Sequence, residues 1–402
     1  MSRDLSVLLL EGIHPGAQDI FRAEGFRVDA VAGALKEDEL IARLAGVHVL
    51  GIRSKTQVTE RVLEAAKDVM VVGAFCSGTN QIALDAANRG GVPVFNAPFS
   101  NTRSVAELII AEIVVLARQL GDRSREVHEG KWRKVATACH EIRGKTLGIV
   151  GYGHIGSQVG VLAEAVGMRV LSYDIRTTLP MGNNRAVETL DELLAQSDFV
   201  TLHVPETPQT KNMIGAAEIA KMKPKSYLLN ASRGTVVDIA ALANALESGH
   251  LAGAAVDVYP TEPETNSDGF VTELQKLPNV ILTPHIGGST VEAQAAIGRE
   301  VAVSLVRYAT TGTTTGSVNF PSLELAMRKG VHRILNVHKN VPGVLRDINR
   351  IVSDRNANIE AQILGTDPNI GYLVMDVDET VSQDVLRDIA ALKTSIKTRL
   401  VY

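Results

Sequence analysis

Cysteine is almost missing from the 402 residues. Cys76 and Cys139 are the only two, and neither stands in metal-ligand spacing, so the sequence excludes a disulfide framework and a zinc module. Neither sign of charge dominates, since 41 Lys+Arg against 45 Asp+Glu leave a formal charge of −4. Recognition of a nucleic-acid backbone needs a clustered positive excess, so no nucleic-acid partner is expected. No apolar run reaches the roughly eighteen residues of a membrane span, and the start Met-Ser-Arg-Asp-Leu lacks a signal-peptide pattern. No long-period repeat is present. What remains is a 45% hydrophobic, 21% charged chain, the composition of a cytoplasmic globular protein with several cores in two or three domains.

Short β-branched and leucine-rich runs alternate with amphipathic stretches, the pattern of parallel strands covered by helices. In the first third, 6–10, 47–52, 69–73 and 92–95 read as buried strands, with helices at 18–24, 37–44 and 59–66 between them. A long helix follows at 104–120, with Ser104 and Glu107 spaced as a capping box. A second series places strands at 147–150, 169–173, 199–203, 227–230, 254–258 and 280–283, six in all, as a dinucleotide-binding sheet requires. An amphipathic stretch at 291–308 ends in 310–316, which holds only Thr and Gly and reads as a hinge. The remainder predicts βαββαβ, a ferredoxin-like order. The expected fold is α/β throughout.

Gly151-Tyr152-Gly153-His154-Ile155-Gly156 directly follows a strand and opens a helix pattern. Glycines at these places let the turn form, let the backbone approach a pyrophosphate and let helix pack on strand, while the helix N-terminus offers free N–H groups. Asp174 closes the next strand, where a carboxylate binds the adenosine ribose hydroxyls and repels a 2′-phosphate. The cofactor expected is therefore NAD, with Arg176 read as a solvated surface charge.

Three polar residues fall at the ends of later strands: Arg233, Glu262 and His285. Oxidising a 2-hydroxy acid requires a hydride to leave C2 while a base takes the hydroxyl proton, and histidine suits that task near neutral pH. A carboxylate beside it raises its pKa and fixes its tautomer, and an arginine grips the substrate carboxylate in a fork. Singly, each has a plainer reading, as a strand-end charge, a loop carboxylate between prolines and a buried histidine. Their joint order downstream of the glycine motif favours the catalytic one.

With GYGHIG, the segments NASRGTVVD (230–238), AAVDVYPTEP (254–263) and LTPHIGGST (282–290) resemble the D-isomer-specific 2-hydroxyacid dehydrogenase family, along nearly the whole chain. The resemblance implies a Rossmann-type domain at 101–287, a split flavodoxin-like substrate domain at 1–100 and 288–329, and a C-terminal ACT domain at 330–402. It makes Arg233, Glu262 and His285 catalytic. It adds Ala231, Ser232, Arg233, Asp257, His285, Ile286, Gly287 and Gly288 to Gly151, Gly153, His154, Ile155, Gly156 and Asp174 at the cofactor.

Members with such a tail oxidise 3-phospho-D-glycerate to 3-phosphooxypyruvate on the way to L-serine, which feeds back on them. By resemblance Arg53, Ser54, Asn101, Arg233 and His285 meet the substrate. Arg103 and Ser104 cap the helix or touch the phosphate, and the parts of Lys55 and Lys134 stay open. Ala32 stands where some relatives carry a lysine. Serine is expected near His338, Asn340 and Asn358, between two ACT copies, and a homotetramer is implied, with Trp132 and Lys134 in a segment that meets a neighbouring subunit. Trp132 alone reads as core or interface packing. Two alternatives remain: reduction of another 2-oxo acid such as 2-oxoglutarate, and a non-catalytic NAD-sensing co-repressor-like protein.

Overall fold

The computed structural model describes residues 5–263, 269–328 and 330–402, so most of the start read for a signal pattern (1–4) lies outside the described residues. In chain order, β1 (Ser6–Leu9), α1 (Pro15–Ala23), β2 (Arg27–Ala30), α2 (Glu37–Arg43), β3 (Val49–Ile52), α3 (Glu60–Ala65), β4 (Val71–Ala74), α4 (Leu84–Arg89) and β5 (Val94–Asn96) build the first sheet. Its strands are parallel in the order β2-β1-β3-β4-β5, the flavodoxin-like order. The strands β3 and β4 are buried along their whole length, as strands covered on both faces must be.

Next come α5 (Thr102–Arg118), α6 (Leu120–His128), β6 (Thr146–Val150), α7 (His154–Ala165), β7 (Arg169–Tyr173), β8 (Arg185–Ala186), α8 (Leu190–Gln196), β9 (Phe199–Leu202), α9 (Ala216–Lys221), β10 (Tyr227–Asn230), α10 (Ile239–Glu247), β11 (Gly253–Val256) and β12 (Val280–Leu282). The second sheet is parallel in the order β12-β11-β10-β9-β6-β7-β8, a Rossmann-type sheet. It has seven strands rather than the expected six, because the two-residue β8 adds an edge too short to leave a hydrophobic run. The expected capping box at Ser104 does not form. The helix starts at Thr102 with Asn101 as its N-cap, and Ser104, inside the first turn, bonds Thr290 Oγ1 at 2.7 Å while Glu107 pairs with Arg103.

The helix α11 (Val291–Thr311) leads to β13 (His332–Lys339), α12 (Val344–Asp354), β14 (Ile359–Thr366), β15 (Ile370–Val377), α13 (Ser382–Ala390) and β16 (Ser395–Val401). These make an antiparallel sheet in the order β14-β15-β13-β16, the ferredoxin-like arrangement. One face, with Ile334, Leu373 and Met375, packs under α12 and α13. The other, with Leu335, Val337, Tyr372 and Val374, shares a core with Leu9, Phe95 and α11.

The chain divides into two compact units, one running to Ser100 and resuming at Gln294–Tyr402, the other Asn101–Ala293. The C-terminal sheet thus belongs to the first unit, and two arginines fix it there. A helix leaves its last carbonyls without partners. Here Arg399 donates to the carbonyls of Tyr308 (2.6 Å) and Ala309 (3.0 Å), and Arg333 donates to that of Thr311 (3.0 Å). In the stretch 310–316, expected to be a hinge, Thr313 and Thr314 are buried and exchange hydrogen bonds with Leu323 and Pro321. Composition hid this because threonine hydroxyls satisfy backbone groups as readily as they meet solvent.

Candidate active site

The glycine motif forms the turn between β6 and α7. Gly151 has φ 90°, and a Cβ there would stand 2.4 Å from the carbonyl oxygen of His203. A Cβ on Gly156 would stand 2.1 Å from the carbonyl oxygen of Gly151, so helix and turn pack without room for a side chain. Around Gly153, by contrast, nothing lies within 4 Å of a Cβ position. Two tight glycines and one open one make a cradle fit for a pyrophosphate at the α7 N-terminus. His154 begins the helix, and Ile155 packs against the core beneath. Asp174, just past β7, accepts the Tyr152 amide on one carboxylate oxygen (2.8 Å) and the Arg176 amide on the other (2.9 Å). This fixes the carboxylate beside the glycine turn with lone pairs left for ribose hydroxyls.

Three strand ends of the same sheet carry the other candidates. After β10, Asn230 Oδ1 accepts both the amide and the hydroxyl of Ser232 (3.1 and 2.8 Å), and its Nδ2 donates to the Arg233 carbonyl (3.0 Å). Asn230, which the sequence reading passed over, therefore shapes the loop that presents Ala231, Ser232 and Arg233. One Arg233 nitrogen donates to the Ser232 carbonyl at 2.7 Å, and among the described residues the rest of the guanidinium donates to nothing.

After β11, buried Asp257 organises the His285 loop. Its carboxylate accepts the Thr283 hydroxyl (2.6 Å) and the amides of Ile286 and Gly287 (2.8 Å each), while its own carbonyl accepts the His285 amide (2.8 Å). His285 is thereby held at φ 54°, an uncommon conformation for a residue with a Cβ. Gly288 is small for a reason, since a Cβ there would sit 2.5 Å from Asn101 Nδ2.

His285 Nδ1 meets Glu262 Oε2 at 2.8 Å, and Glu262 Oε1 accepts the Tyr259 amide at 3.1 Å. The hydrogen bond to Glu262 raises the His285 pKa above its ordinary value against the opposing effect of burial. Burial pushes Glu262 up, but the His285 bond, the Tyr259 amide and the nearby His285 and Arg233 charges outweigh it and hold the carboxyl below its usual range. Nδ1 thus carries a proton toward Glu262, and Nε2 is left as the acceptor of the neutral ring. A half-exposed base with an oriented ring next to an open guanidinium suits proton transfer at a carbon bearing a hydroxyl and a carboxylate.

Arg53 and Ser54 follow β3 in the first unit, while Asn101, Arg233 and His285 belong to the second. Lys134 and Trp132 lie in the loop after α6, and Trp132 is 83% exposed, which corrects the reading of it as core. In the C-terminal sheet His338 is buried, with Nδ1 on Asn336 Oδ1 at 2.9 Å, and Asn340 donates to the Asp367 carbonyl at 2.7 Å. Asn358 does not join them within one chain. It precedes Ile359, which pairs with Val377 at one end of the sheet, whereas His338 pairs with Gly371 at the other.

A family profile described as "D-isomer specific 2-hydroxyacid dehydrogenase, NAD binding domain" matches residues 110–287, and an "AHAS small subunit-like ACT domain" matches 334–397. The chain belongs to the D-isomer-specific 2-hydroxyacid dehydrogenase family, and it is an NAD-dependent oxidoreductase with an ACT domain. It is 56% identical to a D-3-phosphoglycerate dehydrogenase of Dictyostelium discoideum, over 99% of this chain and 97% of that one. It is 51% identical to the D-3-phosphoglycerate dehydrogenase of Escherichia coli strain K12, over 99% and 98%. Among solved structures it is similar to a D-lactate dehydrogenase from Aquifex aeolicus complexed with NAD and lactic acid, with 27% identity and a TM-score of 0.66 over 79% of this chain and 100% of that one. Among the described residues no helix is long and apolar enough to cross a membrane and no cluster of ligating side chains suits a metal ion.

Proposed function

We propose that the protein oxidises 3-phospho-D-glycerate to 3-phosphooxypyruvate, the committed step toward L-serine, and that L-serine inhibits it. The observation that carries the reaction is the His285–Glu262 pair at 2.8 Å beside the open face of Arg233. Arg233 holds the substrate carboxylate in a fork and orients C2. His285 Nε2 takes the proton of the C2 hydroxyl, and Glu262 stabilises the imidazolium that results. The Gly151–Gly156 turn and Asp174 would hold NAD, which when bound would supply the acceptor for the C2 hydride. Ala231, Ser232, Asp257, Ile286, Gly287 and Gly288 would line its place, on loops that the Asn230 and Asp257 hydrogen bonds set. Arg53, Ser54 and Asn101 receive the phosphate. The choice of phosphoglycerate among hydroxy acids is supported by the two named dehydrogenases at 56% and 51% identity.

Regulation is assigned to the ACT domain. Since Asn358 lies at the opposite end of the sheet from His338 and Asn340, serine held by all three requires a second copy, paired antiparallel along the edge strand β14. That pairing, together with a second contact through the exposed Val127, Trp132 and Val135, gives a homotetramer. The two free cysteines fit a cytoplasmic setting.

The test is NADH absorbance with NAD and 3-phosphoglycerate, with and without L-serine, and with 2-hydroxyglutarate in parallel. Phosphoglycerate-dependent reduction suppressed by serine is expected. No turnover on phosphoglycerate overturns the substrate, and turnover indifferent to serine overturns the regulatory half.

A further inference from the structure

Glu11 follows β1 in a left-handed conformation, with φ 63°. A non-glycine residue keeps that conformation only where its surroundings fix it. Its carboxylate is the hub of the loop after β3. Glu11 Oε1 accepts the amides of Arg53 (3.1 Å) and Thr56 (2.8 Å), and Oε2 accepts the amide of Lys55 (3.0 Å). From the other side Gln81, buried at 8% exposure, donates Nε2 to the carbonyl of Arg53 at 2.6 Å. The backbone of Arg53 is thus gripped at its N–H and its C=O by side chains 42 and 28 positions away.

The side chains of the loop are left largely uncommitted. Among the described residues the Arg53 guanidinium reaches only the Glu11 carbonyl, at the long distance of 3.5 Å, and the Ser54 hydroxyl has no partner. Converging backbone N–H groups form a ready anion nest. Here the anion is internal, so an incoming phosphate is denied the amides of Arg53, Lys55 and Thr56 and is held by the Arg53 guanidinium and Ser54.

We infer that Glu11, assisted by Gln81, is a positioning residue that sets Arg53 and Ser54 for a phosphate group and so makes the protein prefer phosphorylated 2-hydroxy acids. This rests on the assignment of Arg53 and Ser54 to the substrate phosphate made above. The Glu11 carboxylate is taken up by the amides of the loop, so its loss acts on recognition of the phosphate rather than on chemistry.

The experiment is steady-state kinetics on the full chain for the wild type, Glu11→Ala and Glu11→Gln. It measures KM and kcat for 3-phosphoglycerate, and inhibition constants for inorganic phosphate and for oxalate, a carboxylate probe without phosphate. In Glu11→Ala, KM for phosphoglycerate and the inhibition constant for phosphate rise together, roughly 10- to 100-fold, as a loosened contact loop requires. The inhibition constant for oxalate and kcat stay within about 3-fold, because one lost loop contact does not reach Arg233 or His285. Glu11→Gln falls between, since one amide oxygen still accepts the two amides that Oε1 held. Thermal melts and NAD binding, read on each variant, report whether the chain is folded. Equal losses toward phosphate and oxalate in a folded variant overturn the inference alone, making Glu11 a general support. A wild type inert toward phosphoglycerate overturns the functional reading and this inference with it.

Discussion

Nδ1 of His285 and the carboxylate of Glu262 stand 2.8 Å apart, and that bond decides which ring nitrogen faces the open side. Because Glu262 raises the His285 pKa, and oxidation needs the ring neutral, kcat/KM for oxidation climbs with pH through the raised value. Glu262→Gln lowers the His285 pKa and moves that climb to lower pH. His285→Ala removes it and cuts kcat by roughly 10²- to 10⁴-fold. The pH profiles of the three proteins check this, and an acid limb that stays in place in Glu262→Gln would falsify the assignment.

Asp174 gives a cofactor prediction. Its carboxylate is fixed by the amides of Tyr152 and Arg176, so it meets the ribose hydroxyls with little reorganisation. A hydrogen bond to a charged group contributes about 1.5–3 kcal/mol, so Asp174→Ala raises KM for NAD roughly 10- to 100-fold. The same change removes the charge that repels a 2′-phosphate and narrows the gap between NAD and NADP. Unchanged discrimination between the two cofactors is the result that counts against this carboxylate.

Among the described residues the most buried ion pair joins Arg333 on β13 to Asp376 on β15, with side chains 1% and 0% exposed. The guanidinium donates to both carboxylate oxygens (2.7 and 2.9 Å) and to the carbonyls of Thr311, Leu325 and Ala326. Asp376→Ala leaves a charge buried with only carbonyls around it and costs about 3–5 kcal/mol. Arg355 and Asp388, 2.6 Å apart and partly exposed, form the control, and Asp388→Ala shifts the melt far less because solvent screens the pair. Calorimetry on both variants reads the difference. Similar melting shifts would show that the Arg333 pair is not what fastens the C-terminal sheet.

Legibility in the sequence follows from where the physics is local. The strands β7 and β10 coincide with their expected ranges, because a buried parallel strand writes itself as an apolar run. The exposed edge strand β2 and the two-residue β8 leave no such run and were not foreseen. Glycine spacing pointed to the nucleotide turn, since close approach of backbone atoms forbids a Cβ at fixed positions. The supports of the site were invisible for the opposite reason. Glu11 acts through backbone groups of another segment, and nothing in its neighbouring sequence marks a partner 42 residues away, while Asn230 braces its own loop through Ser232 and Arg233 in a way that spacing alone does not mark. The hydrogen bonding of 310–316 is equally illegible, as the hydroxyls of Thr313 and Thr314 donate to the carbonyls of Leu323 and Pro321, which composition does not mark.

Glu112 on α5 carries the last prediction. It is 4% exposed, and its Oε1 is buried with no hydrogen-bond partner among the described residues. Burial, helped by the charge of Asp257, pushes its pKa up to about 8 from an ordinary 4.5. The folded protein therefore holds a proton that the unfolded chain releases. The stability this gives is complete below about pH 4.5 and is lost as pH rises from there through about 8, at up to roughly 1.4 kcal/mol per pH unit. Glu112→Gln has no proton to release, so its stability relative to the wild type climbs across that window and levels off above it. Once ionised, Glu112 also repels Asp257, whose carboxylate holds the amides of Ile286 and Gly287 beside His285. The wild type accordingly loses activity at alkaline pH sooner than Glu112→Gln does. Denaturation curves and rates between pH 5 and pH 9 test both effects, and a stability difference that is flat with pH means that Glu112 is charged in the folded protein.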